Sequence, residues 1–592
     1  MAVTRKRVLF IRLFIIVLVF AAAFPAGAGA VSYEEAYRPQ FHYTPAANWM
    51  NDPNGLVYNE ETEEYHMFYQ CCATLEENQA EKYWGHAVSK DLIHWRELPV
   101  AIGPDALGSI WSGSAVIDRN NTSGFFDDST PAGARMVAFF TYAGGDTTYG
   151  YEKQGLAYST DNGLTWNKYE GNPIIGSVQG GVTVYDGGFR DPKVIWYEDS
   201  SYENGGLWLM VTAGGKARIF TSPDLKNWTY HSTMRGRDGK EIESECPDFY
   251  PLSVSGAGAA QQKWIYSAAG RSYVVGDLTK DENGIFTFRA ESDLQTLMRL
   301  PTDMYAAQTF FNDPKGRRIA IYWMIDLSSK ETHELGEKAW DGVQSMPLEM
   351  KLEADGSGGY RMRAYPVEEL MMLQGETPIF EAAGDTVSGD YEKLRSVSGE
   401  LLYIELTYLP GTAGRIDLNV RMGGAEKTTI SYNVKTENLT LSRRDSGKFI
   451  KENVSTKLLP GPDGTVTMRV YVDASVIDIF TDTGDTTVHG LVFPDKDSVG
   501  VNLNVRGGEA VIQSMRIYEM ASAWNTEYEG PSYTPAPTAE TPAEKTGERS
   551  GSRISITAAV LIIAAAAAIV CTAVGVLTSR AAKKKQKKDR KS

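Results

Sequence analysis

Three acidic residues sit in turns where a carboxylate is costly to leave idle. Asp52 lies in Asn48-Trp-Met-Asn-Asp-Pro-Asn-Gly55, Asp191 in Gly188-Phe-Arg-Asp-Pro-Lys193, and Glu245 in Glu243-Ser-Glu-Cys-Pro-Asp248. A charge beside Trp, Phe or Cys loses hydration, and that loss is tolerated where the group is paired or used in chemistry. Asp-Pro is also an ordinary turn, as the plainer Asp313-Pro314 shows, so residue types alone leave a structural Asx-turn open for each. Other chemistries find little footing. The seven histidines are scattered, without a ligand pair such as His-Glu-x-x-His, and no glycine loop is shaped to cradle phosphate. Neither a metal nor a cofactor is expected. Cys246, next to Glu245, reads as a small buried thiol rather than a redox group.

What would position such residues is a set of short strands. Gly, Asn, Asp and Thr are abundant and aromatics make up 11% of the chain, which suits strands and tight turns more than helices. Ser89-Lys-Asp-Leu-Ile-His-Trp95, Ser159-Thr-Asp-Asn-Gly-Leu-Thr-Trp166 and Ser222-Pro-Asp-Leu-Lys-Asn-Trp228 share a Ser-x-Asp…Trp pattern, each after a strand-like run. A turn recurring at blade-like spacing, without a strong helical period, points to a β-propeller. The second half has another texture. Leu401 to Tyr408, Ile416 to Val420, Val466 to Val472 and Val501 to Val505 alternate apolar with polar residues, as the strands of an antiparallel sandwich do. The expected boundary lies near Tyr360 to Gly375, giving a propeller over 33–360 and a sandwich over 361–522. Glu368-Glu-Leu-Met-Met372 is expected as a short connecting helix.

The two ends carry signals of place. A basic start, the apolar run Leu13 to Phe24 and the ending Ala28-Gly29-Ala30 read as a signal peptide over 1–30, cleaved after Ala30. Ile554 to Leu577 is 24 residues without a charge, about 36 Å of helix, long enough to span a bilayer. Lys583-Lys-Lys585 and Lys587-Lys588 follow in a basic tail over 578–592. Positive flanks stay cytoplasmic, so a single C-terminal transmembrane helix would leave the body outside. The Pro- and Thr-rich stretch over 523–552 reads as an extended, disordered stalk. The net charge of −16 includes these basic ends, so the body is more acidic still, which argues against nucleic acid as a partner. With Cys571 in the apolar run and Cys71 adjacent to Cys72, the four cysteines do not suggest a disulfide framework. No feature of the sequence sets an oligomeric state.

The three acidic motifs, in this order, resemble those of glycoside hydrolase family 32, the invertases, levanases and inulinases. The resemblance runs from about Phe41 to Leu352 and continues more weakly into the second half. Asn48 to Gly55 looks like the family's nucleophile block, Phe189 to Pro192 like its Arg-Asp-Pro block, and Glu245-Cys-Pro247 like its acid/base block. The resemblance implies an all-β chain with a five-bladed propeller followed by a sandwich, and retaining hydrolysis of a β-linked fructofuranose. In that scheme Asp52 attacks the anomeric carbon, while Glu245 protonates the leaving oxygen and then activates water. Asp191 would grip fructose hydroxyls and stabilise the transition state, and Arg190 would pair with nearby carboxylates or bind the sugar. Glu245 has to begin protonated, so a partly apolar surround and neighbouring carboxylates are expected to favour its neutral form.

The same resemblance implies a sugar subsite formed by Asn51, Gln70, Trp84, Trp111, Ser112, Asp303 and Tyr305, with Trp323 and Trp340 either there or in the core. Two departures leave the sugar preference open. Cys71-Cys72-Ala73 stands where the family usually has Tyr-Asn-Pro, and Gln79 where it often has a tryptophan ahead of Trp84-Gly-His86. The implied activity is release of fructose from levan or inulin by an exo-acting enzyme held at the membrane. The alternatives are invertase-like cleavage of sucrose or fructo-oligosaccharides, fructosyl transfer to a sugar, and a silent fructan-binding surface protein.

Overall fold

The computed structural model describes residues 33–74, 81–185, 188–257, 261–297, 302–325, 340–448 and 451–524. The expected signal peptide, the stalk beyond Trp524, the carboxy-terminal apolar run and its basic tail lie outside these residues, as does Gln79. Among the described residues no helix is long and apolar enough to cross a membrane.

Five antiparallel four-stranded units follow one another in sequence. The first comprises Asn48–Asn59, Glu64–Cys71, Tyr83–Ser89 and Arg96–Ile102. The second comprises Ser109–Ile117, Met136–Ala143, Glu152–Ser159 and Asn167–Lys168. Arg190–Glu198, Gly206–Ala213, Arg218–Ser222 and Thr229–Thr233 form the third. Pro247–Ser255, Gln262–Ala268, Ser272–Lys280 and Phe286–Ala290 form the fourth. The fifth is Met304–Thr309, Ile319–Met324, Leu348–Ala354 and Tyr360–Pro366. The first strand of each unit touches the first strand of the next, and the fifth returns to the first. The ring is closed: a five-bladed propeller, as expected. Blade faces pack on neighbouring blades, so central strands such as Met136–Ala143 and Gly206–Ala213 are buried along their whole length rather than alternating.

The recurring Ser-x-Asp…Trp segment is the turn between the third and fourth strands of the first three blades. In each, the serine hydroxyl donates to the aspartate (Ser89 to Asp91 at 3.0 Å, Ser159 to Asp161 at 2.8 Å, Ser222 to Asp224 at 3.1 Å). The tryptophan N–H closes the same turn on the carbonyl of Leu92, Gly163 or Leu225. The repeat is one capping device used three times.

The sandwich is built on one long strand, Gly500–Glu519. Its first part pairs with Arg415–Gly423 and its last part with Leu402–Leu409, so it serves both sheets. Gly507 and Gly508, at φ 73° and 148°, sit between the two pairings, where residues with a Cβ would be strained. The inward residues of both sheets, among them Ile404, Leu406, Leu418, Val470 and Leu503, are fully buried in one core. Truncating one of them to alanine costs about 2–5 kcal/mol. The boundary falls after Pro366, not at Tyr360, because Tyr360–Pro366 pairs along its length with Leu348–Ala354 and completes the fifth blade. The connecting helix is a 3₁₀ helix, Glu368–Leu373.

Propeller and sandwich pack as one compact unit, joined by buried charge. Asp473 accepts from the backbone N–H groups of Gln40 at 2.7 Å and Phe41 at 3.0 Å and from His42 Nδ1 at 2.8 Å. His42 Nε2 lies 3.1 Å from Asp478, which also pairs with His489 at 2.6 Å. Burial alone would lower the His42 pKa, but the two carboxylates outweigh it and hold it up at about 9. Unfolded histidine loses its proton near 6.5. The stability contributed by this pairing is therefore complete below that pH and is lost as pH rises toward 9. Denaturant titration should show unfolding free energy falling by about 3 kcal/mol more across that window in the wild type than in His42→Gln.

Candidate active site

The site begins with a shared irregularity. The innermost strands of the first, second, third and fifth blades each break register near their start, at Met50/Pro53, Trp111/Gly113, Arg190/Lys193 and Tyr305/Gln308. In the fourth blade Cys246, at φ 41°, immediately precedes the strand Pro247–Ser255. Pro53, Pro192 and Pro247 have no N–H to give a ladder, which is why proline is tolerated at such breaks. A bulge re-aims a side chain out of the sheet. Here these breaks, with the left-handed Cys246 in the fourth blade, turn Asp52, Ser112, Asp191, Glu245 and Tyr305, one from each blade, toward a common point. Asp191 holds a left-handed φ of 58°, a strain of about 1–3 kcal/mol that its N–H helps to secure by donating to Thr141 Oγ1 at 2.9 Å.

Contacts among these residues link them into one cluster. Asp52 Oδ2 accepts from Ser112 Oγ at 2.7 Å, and the Cys246 thiol points at the same oxygen from 3.4 Å. The backbone N–H of Cys246 donates to Asp191 Oδ2 at 2.9 Å. Arg190 reaches Glu245 Oε1 with one terminal nitrogen, while the Tyr305 hydroxyl donates to Oε2 at 2.5 Å. Burial raises the Asp191 pKa to about 7, with the charges of Asp52 and Glu245 adding to the effect and Arg190 and the Cys246 N–H opposing it. Burial among the same three carboxylates drives the Cys246 thiol well up. Cys246 is a buried thiol donor, and among the described residues Cys71, Cys72 and Cys246 form no disulfide.

Glu245 reverses an expectation. Burial raises its pKa, but the Tyr305 hydroxyl and the Arg190 guanidinium outweigh that and hold it below the usual carboxylate range. The partners come from other blades, so the local sequence Glu-Cys-Pro could not disclose them.

A second tier one to four residues along the same strands ties the blades together beneath the site. Gly113 N–H donates to Asn54 Oδ1 at 3.0 Å, and Ser114 Oγ to the Pro192 carbonyl at 2.8 Å. Lys193 Nζ lies 3.1 Å from Asp248 and donates to the Thr309 carbonyl at 2.8 Å. This network spans all five blades and fixes the strand starts that carry the acidic residues.

The other expected sugar contacts divide. Asn51 is buried, its carbonyl held by Gln344 Nε2 at 2.6 Å, and its side-chain oxygen has no partner among the described residues, as suits a sugar hydroxyl donor. Gln70 is buried in the second strand of the first blade, opposite Trp84. Trp111, half-buried beside Ser112, meets the exposed Tyr151 edge-on with ring centroids 6.4 Å apart. Trp323 packs with Trp49, Cys72 and Tyr305, so it lines the wall next to Glu245. Cys72, one of the departures, thus belongs to that wall.

Two expectations fail. Trp84 has no exposed surface; it is packed in the core between the first two blades, and its N–H is used on the Trp111 carbonyl at 3.0 Å. It supports Trp111 from behind. Asp303 is turned into the seam with the sandwich, where it pairs with the buried Arg443 and accepts from Leu491 N–H at 2.8 Å. Trp340 is core, buried against Val476 and Phe493 of the sandwich. Thr141, Gln344 and Glu152, which binds Arg190 at 3.0 Å, lie outside every motif read from the sequence, and no residue pattern marks them.

The cluster can hold a sugar ring, attack it with a fixed carboxylate and exchange a proton with the leaving group. A neutral hydrogen bond to a charged acceptor contributes about 1.5–3 kcal/mol. Ser112→Ala should therefore lower kcat/KM by about 10–100-fold through misorientation of Asp52, with thermal stability little changed. Steady-state kinetics beside a melting curve checks both halves.

Residues 42–366 match the family model of the glycosyl hydrolases family 32 N-terminal domain, and residues 369–519 match that of the family 32 C terminal. The chain is 34% identical to a levanase of Bacillus subtilis, over 86% of this chain and 74% of that protein. It is 29% identical to an extracellular exo-inulinase of Aspergillus awamori, over 84% of this chain and 97% of that one. The crystal structure of exo-inulinase from Aspergillus awamori superposes with a TM-score of 0.72 at 28% identity, covering 83% of this chain and all of that one.

Proposed function

The chain belongs to glycoside hydrolase family 32, and we propose that it is an extracellular, exo-acting β-fructosidase that releases fructose from fructans such as levan or inulin. The observation that carries this reading is the convergence of Asp52, Ser112, Asp191, Glu245 and Tyr305 from five blades on one point. A carboxylate oriented by a hydroxyl, beside a second carboxylate held between a phenol and a guanidinium, suits double displacement at an anomeric carbon. The neutral amides and hydroxyls around them suit an uncharged polyol. That the relatives in Bacillus subtilis and Aspergillus awamori are a levanase and an exo-inulinase supports fructan as the substrate class.

Asp52 performs the attack, forming a fructosyl ester as Glu245 gives its proton to the departing oxygen. Glu245 then takes a proton from the water that attacks the ester, which releases fructose, frees the Asp52 carboxylate and returns Glu245 to its protonated form. Asp191, in reach of both, binds fructose hydroxyls as charge develops on the ring. The apolar run near the amino terminus and the uncharged run with its basic tail near the carboxy terminus support export and attachment at the outer face of a membrane.

Incubation of the protein with levan, inulin and sucrose, with products followed over time, tests the reading. Fructose should appear from the first time point. Oligosaccharides that precede fructose would contradict the exo mode, and no reaction with any of the three would contradict the activity. Release of the activity by protease treatment of intact cells tests its place; activity confined to the cell interior would contradict it.

A further inference from the structure

Arg190 is one cation shared by several carboxylates. It donates to Glu152 Oε1 at 3.0 Å and to Glu245 Oε1, and its Nε lies 3.7 Å from Asp191 Oδ2. Glu152 opens the third strand of the second blade, and its side chain is 13% exposed. Its other oxygen accepts from the N–H of Phe189 at 2.5 Å, so Glu152 grips both the side chain of Arg190 and the backbone just before it. The guanidinium runs through a slot between two glycines. A Cβ on Gly214 would lie 2.6 Å from Arg190 Cγ, and one on Gly188 would lie 2.8 Å from its terminal nitrogen. Glu152 and Glu245 thus hold the two terminal nitrogens of a side chain that has little freedom to move.

We propose that Glu152 is a positioning residue, which divides Arg190 between two carboxylates and thereby sets the proton occupancy of Glu245. The proposal rests on the reading of Glu245 as the acid/base residue, but not on which fructoside is cleaved. A guanidinium drawn toward Glu152 offers Glu245 a weaker hydrogen bond and less charge, and the negative charge of Glu152 itself disfavours a second anion nearby. Both effects favour the protonated Glu245 that the first step requires. They act against the Tyr305 hydroxyl and Arg190, which hold Glu245 ionised.

The other groups around this pair are accounted for. Glu245 is faced by Arg190 and Asp191 of the third blade, by Cys246 beside it, and by Tyr305 of the fifth, while the charge of Asp52 of the first blade bears on the same Asp191, Cys246 and Tyr305. Arg271 lies over the Tyr305 ring, 4.5 Å from its centroid. Glu152 is faced by Arg190; its neighbour Lys153 is turned to the carbonyls of Gly144 and Gly150. Arg190 alone among these touches both Glu152 and Glu245.

Glu152→Gln removes the charge while keeping an acceptor for the Phe189 N–H. An infrared difference titration of the full-length protein, referenced to Glu245→Gln in the same background, reads the Glu245 midpoint without any substrate. The midpoint should fall by about one pH unit in Glu152→Gln. The alkaline limb of kcat/KM on sucrose or inulin should move down with it. An unchanged or raised midpoint overturns the proposal, whatever happens to activity, since a purely structural role would leave the titration where it was. A lowered midpoint in a protein that cleaves no fructoside upholds the positioning role and overturns the proposed function instead. If Glu152→Gln does not fold, Glu152→Asp, which keeps the charge but shortens its reach to Arg190, should give a smaller fall; no fall there is equally contrary.

Discussion

Asp52→Asn should lower kcat by roughly 10⁴-fold or more on every β-fructoside the wild type cleaves, with KM nearly unchanged. The amide has the size of the carboxylate, and its oxygen can still accept from Ser112 Oγ, so the sugar subsite keeps its shape. What is lost, on the proposed roles, is the nucleophile, which acts only as the transition state forms, and such a loss falls on kcat. The variant should also melt no lower than the wild type. Asp52, Asp191 and Glu245 crowd three carboxylates together, and the charges of the first and third already help to push Asp191 up to about 7. Removing one charge relieves that repulsion, so a site that gives up stability for chemistry regains some when the chemistry is lost. Kinetics and a melting curve on one preparation test both statements. Activity within tenfold of the wild type would remove Asp52 from the role.

Glu245→Gln should lower kcat by about 10²–10⁴-fold, and the size of the loss should depend on the leaving group. Gln cannot supply a proton, so a sugar alkoxide departs slowly. Fluoride needs little protonation, so fructosyl fluoride should lose far less in the first step. In the wild type, the Tyr305 hydroxyl and Arg190 hold Glu245 below the usual carboxylate range, so the acid form becomes scarce as pH rises. The kcat/KM profile of the wild type should therefore decline toward alkaline pH from an acidic optimum. The profile of Glu245→Gln on the fluoride should lack that limb. An equal loss on sucrose and on the fluoride would deny Glu245 the role of acid.

Much of this molecule could be read from its residues, and the misses share a cause. The Ser-x-Asp…Trp turns were visible because each is closed by its own side chains, within a few positions of sequence. The acidic motifs were visible because bulged strand starts recruit Pro and flanking aromatics or cysteine, an unusual combination. Whether a residue faces sugar or core depends on what another segment lays against it. Trp84 looks like a sugar platform until the second blade covers it, and Asp303 until Arg443 arrives from the sandwich. Glu245 shows the same limit in electrostatics. Its immediate neighbours suggest a raised pKa, and only Arg190 from the third blade and Tyr305 from the fifth reverse the sign. Glu152 had no local mark at all, since its partners Phe189 and Arg190 lie 37 and 38 positions away.

The central claim is that Asp52 becomes covalently attached to fructose. Full-length Glu245→Gln, mixed with fructosyl fluoride and quenched in acid, should accumulate the ester, because its first step is spared and its second lacks a base. Peptide mass spectrometry should then find one added anhydrofructose unit on the peptide containing Asp52, and Asp52→Asn in the same background should carry none. An adduct on Asp191 or on another side chain, or fructose released in a single turnover with no adduct at any time point, would contradict the account.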